Sequence, residues 1–407
     1  MPLSTQPGLR LTPPAFPLWP LVATLATQTL ATLAAYTLPA LAPMVAADLE
    51  VDGAWVGYFV SVVYGVGIGS SLLAARFIHR HGAVRACQFV LLATLAMLLI
   101  CAQGGLLAVA LGAVALGIGY GATAPAATHL LVPRTPPRMM NFVLSLRQIG
   151  VPLGGVLGAL LLPPVALALG WQNAMLAQVV PVIALIVMLE VPRRNWEGSR
   201  IPAGAPTPLF ASLRAPFALL AGNPALARLT FTSFIYSGIQ LCFVAFMTVH
   251  LTSRAGFDLI AAGQALAAYQ ISGVVTRPVW GWLADRVMPA RRLLVLQGAV
   301  MAAAAAMAGQ IAAGWPAWLV LLICVAAGAT ASGYTGIAYG EFARLGGARR
   351  TEATGLGSSS MFAGVLVLPA LATVVVTVTG SYALAYGAVA ALAAIGAAAL
   401  SSKRRNP

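Results

Sequence analysis

Charge is scarce in this chain. Only 8% of its 407 residues are charged, where a soluble domain carries about 25%. Acids are the rarer kind, nine Asp and Glu against 23 Lys and Arg. With 60% of its residues hydrophobic, the chain has more apolar surface than a soluble fold of this length can hide, because the buried fraction grows slowly with size. The solvent that suits it is a lipid bilayer. Cysteine is scarce too. Cys87, Cys101, Cys242 and Cys324 lie inside apolar runs and read as small buried hydrophobes, not as a disulfide framework or a zinc site. There is no phosphate-binding Gly-Lys loop, no cluster of metal ligands and no nucleophile–base pair, so an enzyme, a metal and a cofactor are not expected. The net charge of +14 would suggest nucleic acid in a soluble protein. Here the basic residues fall in short gaps between apolar runs and act as topology signals.

What the chain has is apolar runs of membrane length. About 20 mostly apolar residues cross a bilayer, and candidate runs occupy 18–43, 54–75, 87–103, 106–130, 141–162, 167–189, 229–251, 259–282, 293–313, 317–339, 353–378 and 382–400. All twelve are expected to be helices, since an open sheet edge has no partners in lipid. The expectation is an all-α membrane protein of two pseudo-symmetric six-helix bundles. A tail (1–17) precedes the first bundle (18–189), a linker (190–228) joins it to the second (229–400), and a basic tail (401–407) closes the chain. Within the linker, 208–221 has the pattern of a short amphipathic helix on the membrane surface.

Lys and Arg set the orientation. Arg10, then Arg76, Arg80 and Arg85, Arg134 and Arg138, the linker arginines (Arg200 among them), Arg286, Arg291 and Arg292, Arg344, Arg349 and Arg350, and finally Lys403, Arg404 and Arg405 all fall on one side, against Arg254 alone on the other. Both termini are therefore expected in the cytoplasm, with the chain in an inner (plasma) membrane. The acidic loop Asp48, Glu50, Asp52 lies outside and carries little weight in this rule.

Two arginines fall within spans: Arg147 in span five and Arg277 in span eight. An arginine at mid-membrane costs roughly 2.5–3.5 kcal/mol on an insertion scale. Each could snorkel to the interface or serve an anion site in a water-filled cavity. Gly263, Ala267, Gln270, Val274, Arg277 and Gly281 recur at three- and four-residue steps, a small and polar stripe that faces protein or cavity. Gln148 adds a polar neighbour to Arg147. No acid lies in the middle of a span, so a positive cleft has the substrate, an anion, as its simplest partner. Other cavity candidates are Gln28, Thr32 and Tyr36 in span one, Tyr120 in span four, Tyr236 and Gln240 in span seven, and Tyr339 in span ten. Each could instead make helix–helix hydrogen bonds. His129, whose unperturbed pKa permits switching, and Glu341, which stands near Arg344, are the proton-coupling candidates. The stretch Gly150–Gly155, GVPLGG, reads as close helix packing.

A basic turn recurs at the same place in each half. ARFIHRHGAVR from Ala75 follows span two and GWLADRVMPARR from Gly281 follows span eight. Internal repeats of this kind typify secondary transporters, with the binding site at their interface. With twelve spans as six plus six, a long central loop and Gly281-Trp282-Leu283-Ala284-Asp285-Arg286 after span eight, the chain resembles the major facilitator superfamily over nearly its whole length. The resemblance implies alternating access by rocking of the halves and an inner-gate motif made of Gly281, Asp285 and Arg286 with Arg80 and Gly82 of the first copy. That copy departs from the pattern, with Ala75 where glycine is usual and His79 where aspartate is usual. Arg277-Pro278, Gly281 and Ala284-Asp285 are locally similar to span eight of monocarboxylate and oxalate/formate transporters, in which the arginine binds the carboxylate. Gly273 stands where the monocarboxylate branch has an aspartate, and span one has no lysine. The expected function is secondary transport of a small organic anion, by exchange or proton symport, in a monomer. The alternative is a proton-driven exporter of drugs or other amphipathic compounds.

Overall fold

The computed structural model describes residues 16–51, 55–197 and 208–402. Arg10, Asp52, Arg200, Lys403, Arg404 and Arg405 lie outside the described residues. No strand occurs among those described. Ten stretches are long and apolar enough to cross a membrane. One of them, Ala317–Thr379 with 63 residues, is about 95 Å of helix at 1.5 Å per residue, three times a bilayer core. It turns back at Gly347, which has φ +55°, and so contains two spans. Leu259–Arg286, a 28-residue helix, adds the twelfth, and its polar residues are what lower its hydropathy.

The spans are Leu18–Ala40, Trp55–His81 and Ala83–Cys101, then Leu106–Arg134, Pro137–Leu169 and Trp171–Trp196. The second half holds Pro224–Arg254, Leu259–Arg286 and Ala290–Gly309. Span ten is built from Ala317–Ala327, a π segment Gly328–Ser332 and Thr335–Gly346. Arg350–Thr379 and Tyr382–Ser401 complete the set. Several helices run past the apolar limits read from the sequence, because charged ends such as Arg193, Arg194 and Arg286 continue the helix into the headgroup zone. The linker is correspondingly shorter than 190–228: span six ends at Trp196 and span seven starts at Pro224. The surface helix occupies Leu209–Ala221, where Arg349 donates to the Ala215 carbonyl at 3.1 Å.

Each half has its own apolar core. One runs from Ala31 to Leu189. The other runs from Leu226 to Leu400 and takes in Leu72 and Ala124 of the first half. Outside these cores, Leu107, Val180, Leu160 and Val378 are 73%, 72%, 66% and 78% exposed. Such a belt suits lipid and would not suit water.

The halves meet at the arginine-rich end and part at the other. A Cβ at Gly336 would lie 2.3 Å from Ser145 Cα, and one at Gly355 would lie 2.4 Å from the Ser71 carbonyl. Only glycine allows spans ten and eleven to come that close to spans five and two.

Candidate functional site

A cavity of about 450 Å³ lies between the halves. Its walls run towards Pro39 and Ala40 of span one, Ala159 of span five, Val244 of span seven and Val365 of span eleven. It therefore opens away from the arginine-rich end, where the halves are shut. Arg147 and Arg277 stand at its closed foot. They are 2% and 1% exposed, so neither reaches back to the interface. The structure decides against snorkelling for both.

Three broken helices hold these arginines. Span four breaks between Tyr120 and Thr123, and span five between Arg147 and Gly150. Pro125 and Pro152 stand four residues after Gly121 and Gln148 and have no N–H to give those carbonyls. The freed Gln148 carbonyl keeps a 3.3 Å contact from the Val151 amide and accepts a hydrogen bond from Arg277 across the boundary between the halves. In span ten the π segment presents its carbonyls sideways. Ser332 accepts from Arg277 Nε at 3.1 Å through its carbonyl and from a terminal guanidinium nitrogen at 3.2 Å through its hydroxyl. The Ala329 carbonyl takes Trp280 Nε1 at 2.6 Å and the Thr276 hydroxyl at 3.2 Å. Broken spans at the level of a site between repeats are how membrane carriers bring backbone dipoles to a ligand.

Arg147 stays within its own half. It donates to the Gln148 side chain and, at 2.9 Å, to the Thr123 carbonyl, while its Nε has no partner. Every partner of both guanidinium groups is neutral. Among the described residues no ion pair involves either arginine.

Gln28, Tyr36, Tyr120, Gln148, Gln240, Gln270 and Tyr339 also line the cavity. Thr32 lies one layer behind, 3.1 Å from the Tyr120 hydroxyl and 2.9 Å from the Gln28 amide that donates to it, and it orients the wall without lining it. Tyr236 is a correction. It is fully buried, donates to the Leu294 carbonyl at 3.2 Å and fills the space left by Gly298 and Gly396, so it belongs to the packing of spans seven, nine and twelve. The rotation of span seven turns Ser237 and Gln240, not Tyr236, to the cavity. Residues overlooked in the sequence are Ser332, Tyr64 and Phe362. Phe362 comes from the second half and lies 5.2 Å from Tyr64 and 5.8 Å from Tyr120, ring to ring. A phenylalanine in an apolar run gives no signal of such a place. GVPLGG does pack closely: a Cβ at Gly154 would lie 2.5 Å from the Thr29 carbonyl.

Neither His129 nor Glu341 lines the cavity. His129 Nδ1 is 2.9 Å from the Thr351 hydroxyl of the other half, and its ring is 5.8 Å from that of His79. Glu341 accepts two bonds from Arg344, at 2.7 and 2.5 Å. In the shut end, Asp285 accepts from the backbone amides of Asn141 and Phe142 at 3.1 and 2.8 Å and from the Asn141 side chain at 2.8 Å. A Cβ at Gly281 would sit 2.7 Å from the Asn141 carbonyl. Arg286 and Arg80 are exposed. Gly82 takes φ +96° in the turn, where a Cβ would strike the Glu197 carboxylate. That carboxylate accepts from the amides of Val84 and Arg85 at 2.9 and 3.1 Å. Glu197 thus caps span three from the linker, a role that its place in the sequence did not suggest.

Twelve spans in two halves, shut at one end around a cavity with buried cations at its foot, are the architecture of a membrane carrier. The Major Facilitator Superfamily model matches residues 24–343, and the chain belongs to that superfamily. Among curated proteins it is 35% identical over 143 residues to "Probable nitrate/nitrite transporter NarK2" from two strains of Mycobacterium tuberculosis. That match spans 33% of this chain and 33% of its relatives' length. Among solved structures, a variant of the E. coli fucose:proton symporter FucP superposes with a TM-score of 0.71 at 13% identity, covering 96% of this chain and 100% of FucP. The human organic anion transporter MFSD10 superposes at 0.70 with 15% identity, covering 94% of this chain and 99% of the other. At these identities the likeness is one of fold.

Proposed function

We propose that the protein carries a small organic anion, a carboxylate, across an inner (plasma) membrane by alternating access. One observation carries the reading. Arg147 and Arg277 come one from each half, are buried at the foot of one cavity, and have only neutral partners. Buried cations left without an anion are costly. A substrate carboxylate supplies the missing charge, and the planar guanidinium fork suits its two oxygens. The cavity volume lies within the range of sites for small organic ligands.

The arginine-rich end is assigned to the cytoplasm, so this state faces outward. An anion that descends the cavity neutralises both arginines. The walls can then close over it, and the inner clasp can part to release it. Exchange of one anion for another needs nothing more. Proton symport needs a group that titrates along with the cavity, and His129 and Glu341 would have to act from a distance. A second reading, with nitrate or nitrite as the substrate, is favoured by the mycobacterial relatives. The aromatic wall of Tyr64, Tyr120 and Phe362 is what an exporter of amphipathic compounds would use.

One measurement separates the three. The purified protein and Arg277→Ala are heated with mono-, di- and aromatic carboxylates, with nitrate and nitrite, and with lipophilic cations. A ligand at 100 times its dissociation constant adds about 2.7 kcal/mol to the folded state. Stabilisation by one carboxylate class, lost in the variant, is the expected result. A response to nitrate or nitrite alone moves the substrate to inorganic oxyanions. Stabilisation by lipophilic cations, equal in both proteins, overturns the anion reading.

A further inference from the structure

A second cavity lies outside the transport path, where the ends of spans two, three and six meet at the arginine-rich face. It measures about 430 Å³ and is lined by Phe77, Arg80, His81, Arg85, Phe89, Leu92, Gln88 and Arg193. Three arginines line it and no carboxylate does. Glu190 stands beside it and is shared, 3.0 Å from Arg85 and 2.7 Å from Arg193. Glu197 reaches Arg193 at 3.9 Å and is already spent on the amides at the start of span three. Arg80 is exposed and has no ion pair or hydrogen bond among the described residues. The rim therefore has a surplus of positive charge.

Below the rim the chemistry changes. Phe77 stacks on His81 and on Phe89, with ring centroids at 4.4 and 4.9 Å. Leu92, 51% exposed, continues the surface into the lipid belt. Arg85 and Leu92 are seven residues apart on span three, about 10 Å along the helix. A basic rim over an aromatic and aliphatic slope of that length matches a molecule with a phosphate at one end and an alkyl chain at the other. Basic pockets between spans at the headgroup level recognise anionic lipid headgroups.

We propose that this pocket binds an anionic phospholipid, with the phosphate diester at Arg80 and Arg85 and an acyl chain along Phe89 and Leu92. The site is independent of the transported substrate and of the direction of transport. A lipid held there touches spans two, three and six, all of the first half.

The test is lipid retention by the full-length protein in neutral detergent, read by native mass spectrometry and by thermal shift. The probes are phosphatidylglycerol, phosphatidylcholine and water-soluble glycerol phosphate. Phosphatidylglycerol is expected to be retained and to raise the melting temperature, with phosphatidylcholine and glycerol phosphate doing neither. Arg80→Gln is expected to weaken retention about fivefold, the effect of one arginine at an anionic surface. Leu92→Ser should weaken it as well, and Arg286→Gln, the exposed arginine of the other basic turn, should leave it unchanged. Equal retention of both lipids, or equal loss in the Arg80 and Arg286 variants, overturns the site. Competition by glycerol phosphate at the same strength makes it a site for free phosphates and overturns the lipid.

Discussion

The two halves do not contribute alike to the shut end. The second half reaches into the first with charged side chains. Asp285 takes two backbone amides and a side-chain amide at the start of span five, and Arg277 takes the Gln148 carbonyl seven residues further on. The first half reaches back with a histidine ring. His129 meets Thr351, His79 lies behind it, and Arg147 spends its bonds on its own half. A carboxylate at a helix N-terminus satisfies orphan amides and suits the positive end of the dipole, and its hydrogen bonds are roughly twice as strong as neutral ones. A pseudo-symmetric scaffold thus closes with one strong clasp and one weak one, the strong one next to Arg277 at the foot of the cavity.

The largest effect is expected at the arginines. Arg277→Ala should weaken anion binding about 100-fold, the loss that follows removal of a charged hydrogen-bond partner worth up to about 3 kcal/mol, and it should also loosen the shut end. Arg147→Ala should weaken binding and leave the shut end alone. Ligand titration together with spin-label distances between spans two and eleven reads both effects, and a larger loosening in the Arg147 variant would break the comparison. Next comes Asp285→Asn, which keeps the shape and removes the charge. It should cost the closed state about 1–2 kcal/mol, seen as a shift of the label distances towards an open inner end. His79→Asp runs the other way. An anion placed near the start of span eleven should strengthen the weak clasp by about 0.5–1 kcal/mol and raise the melting temperature slightly; a fall would mean that the imidazole already makes the better contact. The smallest effect belongs to Pro152→Ala. It returns an N–H to the Gln148 carbonyl, puts it in competition with Arg277, and should weaken the tie by about 0.5 kcal/mol. An unchanged label distance would show that the carbonyl serves both donors.

Much of the fold was legible. Hydropathy located all twelve spans, including Leu259–Arg286, which stands apart from the ten most apolar stretches. Gly281 and Asp285 could be picked out because they lie in a recognisable turn. The site was legible in part. Arg147 and Arg277 stand out because an ionised group in an apolar run has few excuses. Tyr236 misled because four-residue spacing defines a face of a helix without saying what that face meets. Phe362 and Ser332 were silent because an aromatic or a serine in a membrane helix is ordinary until a neighbour is known. The π segment that aims Ser332 at Arg277 packs against Tyr269, whose carbonyl leaves no room for a Cβ at Gly328, a relation between spans eight and ten that neither span shows by itself.

The sequence alone determined the solvent, the number and order of the spans and the scarcity of acid within them, since length, hydropathy and charge belong to each segment by itself. Tertiary structure alone decided which faces turn to the cavity, that both arginines point inward, and that one end is shut and the other open. Those are relations between helices, set by how each is rotated against its neighbours and by which backbone groups its breaks leave unpaired.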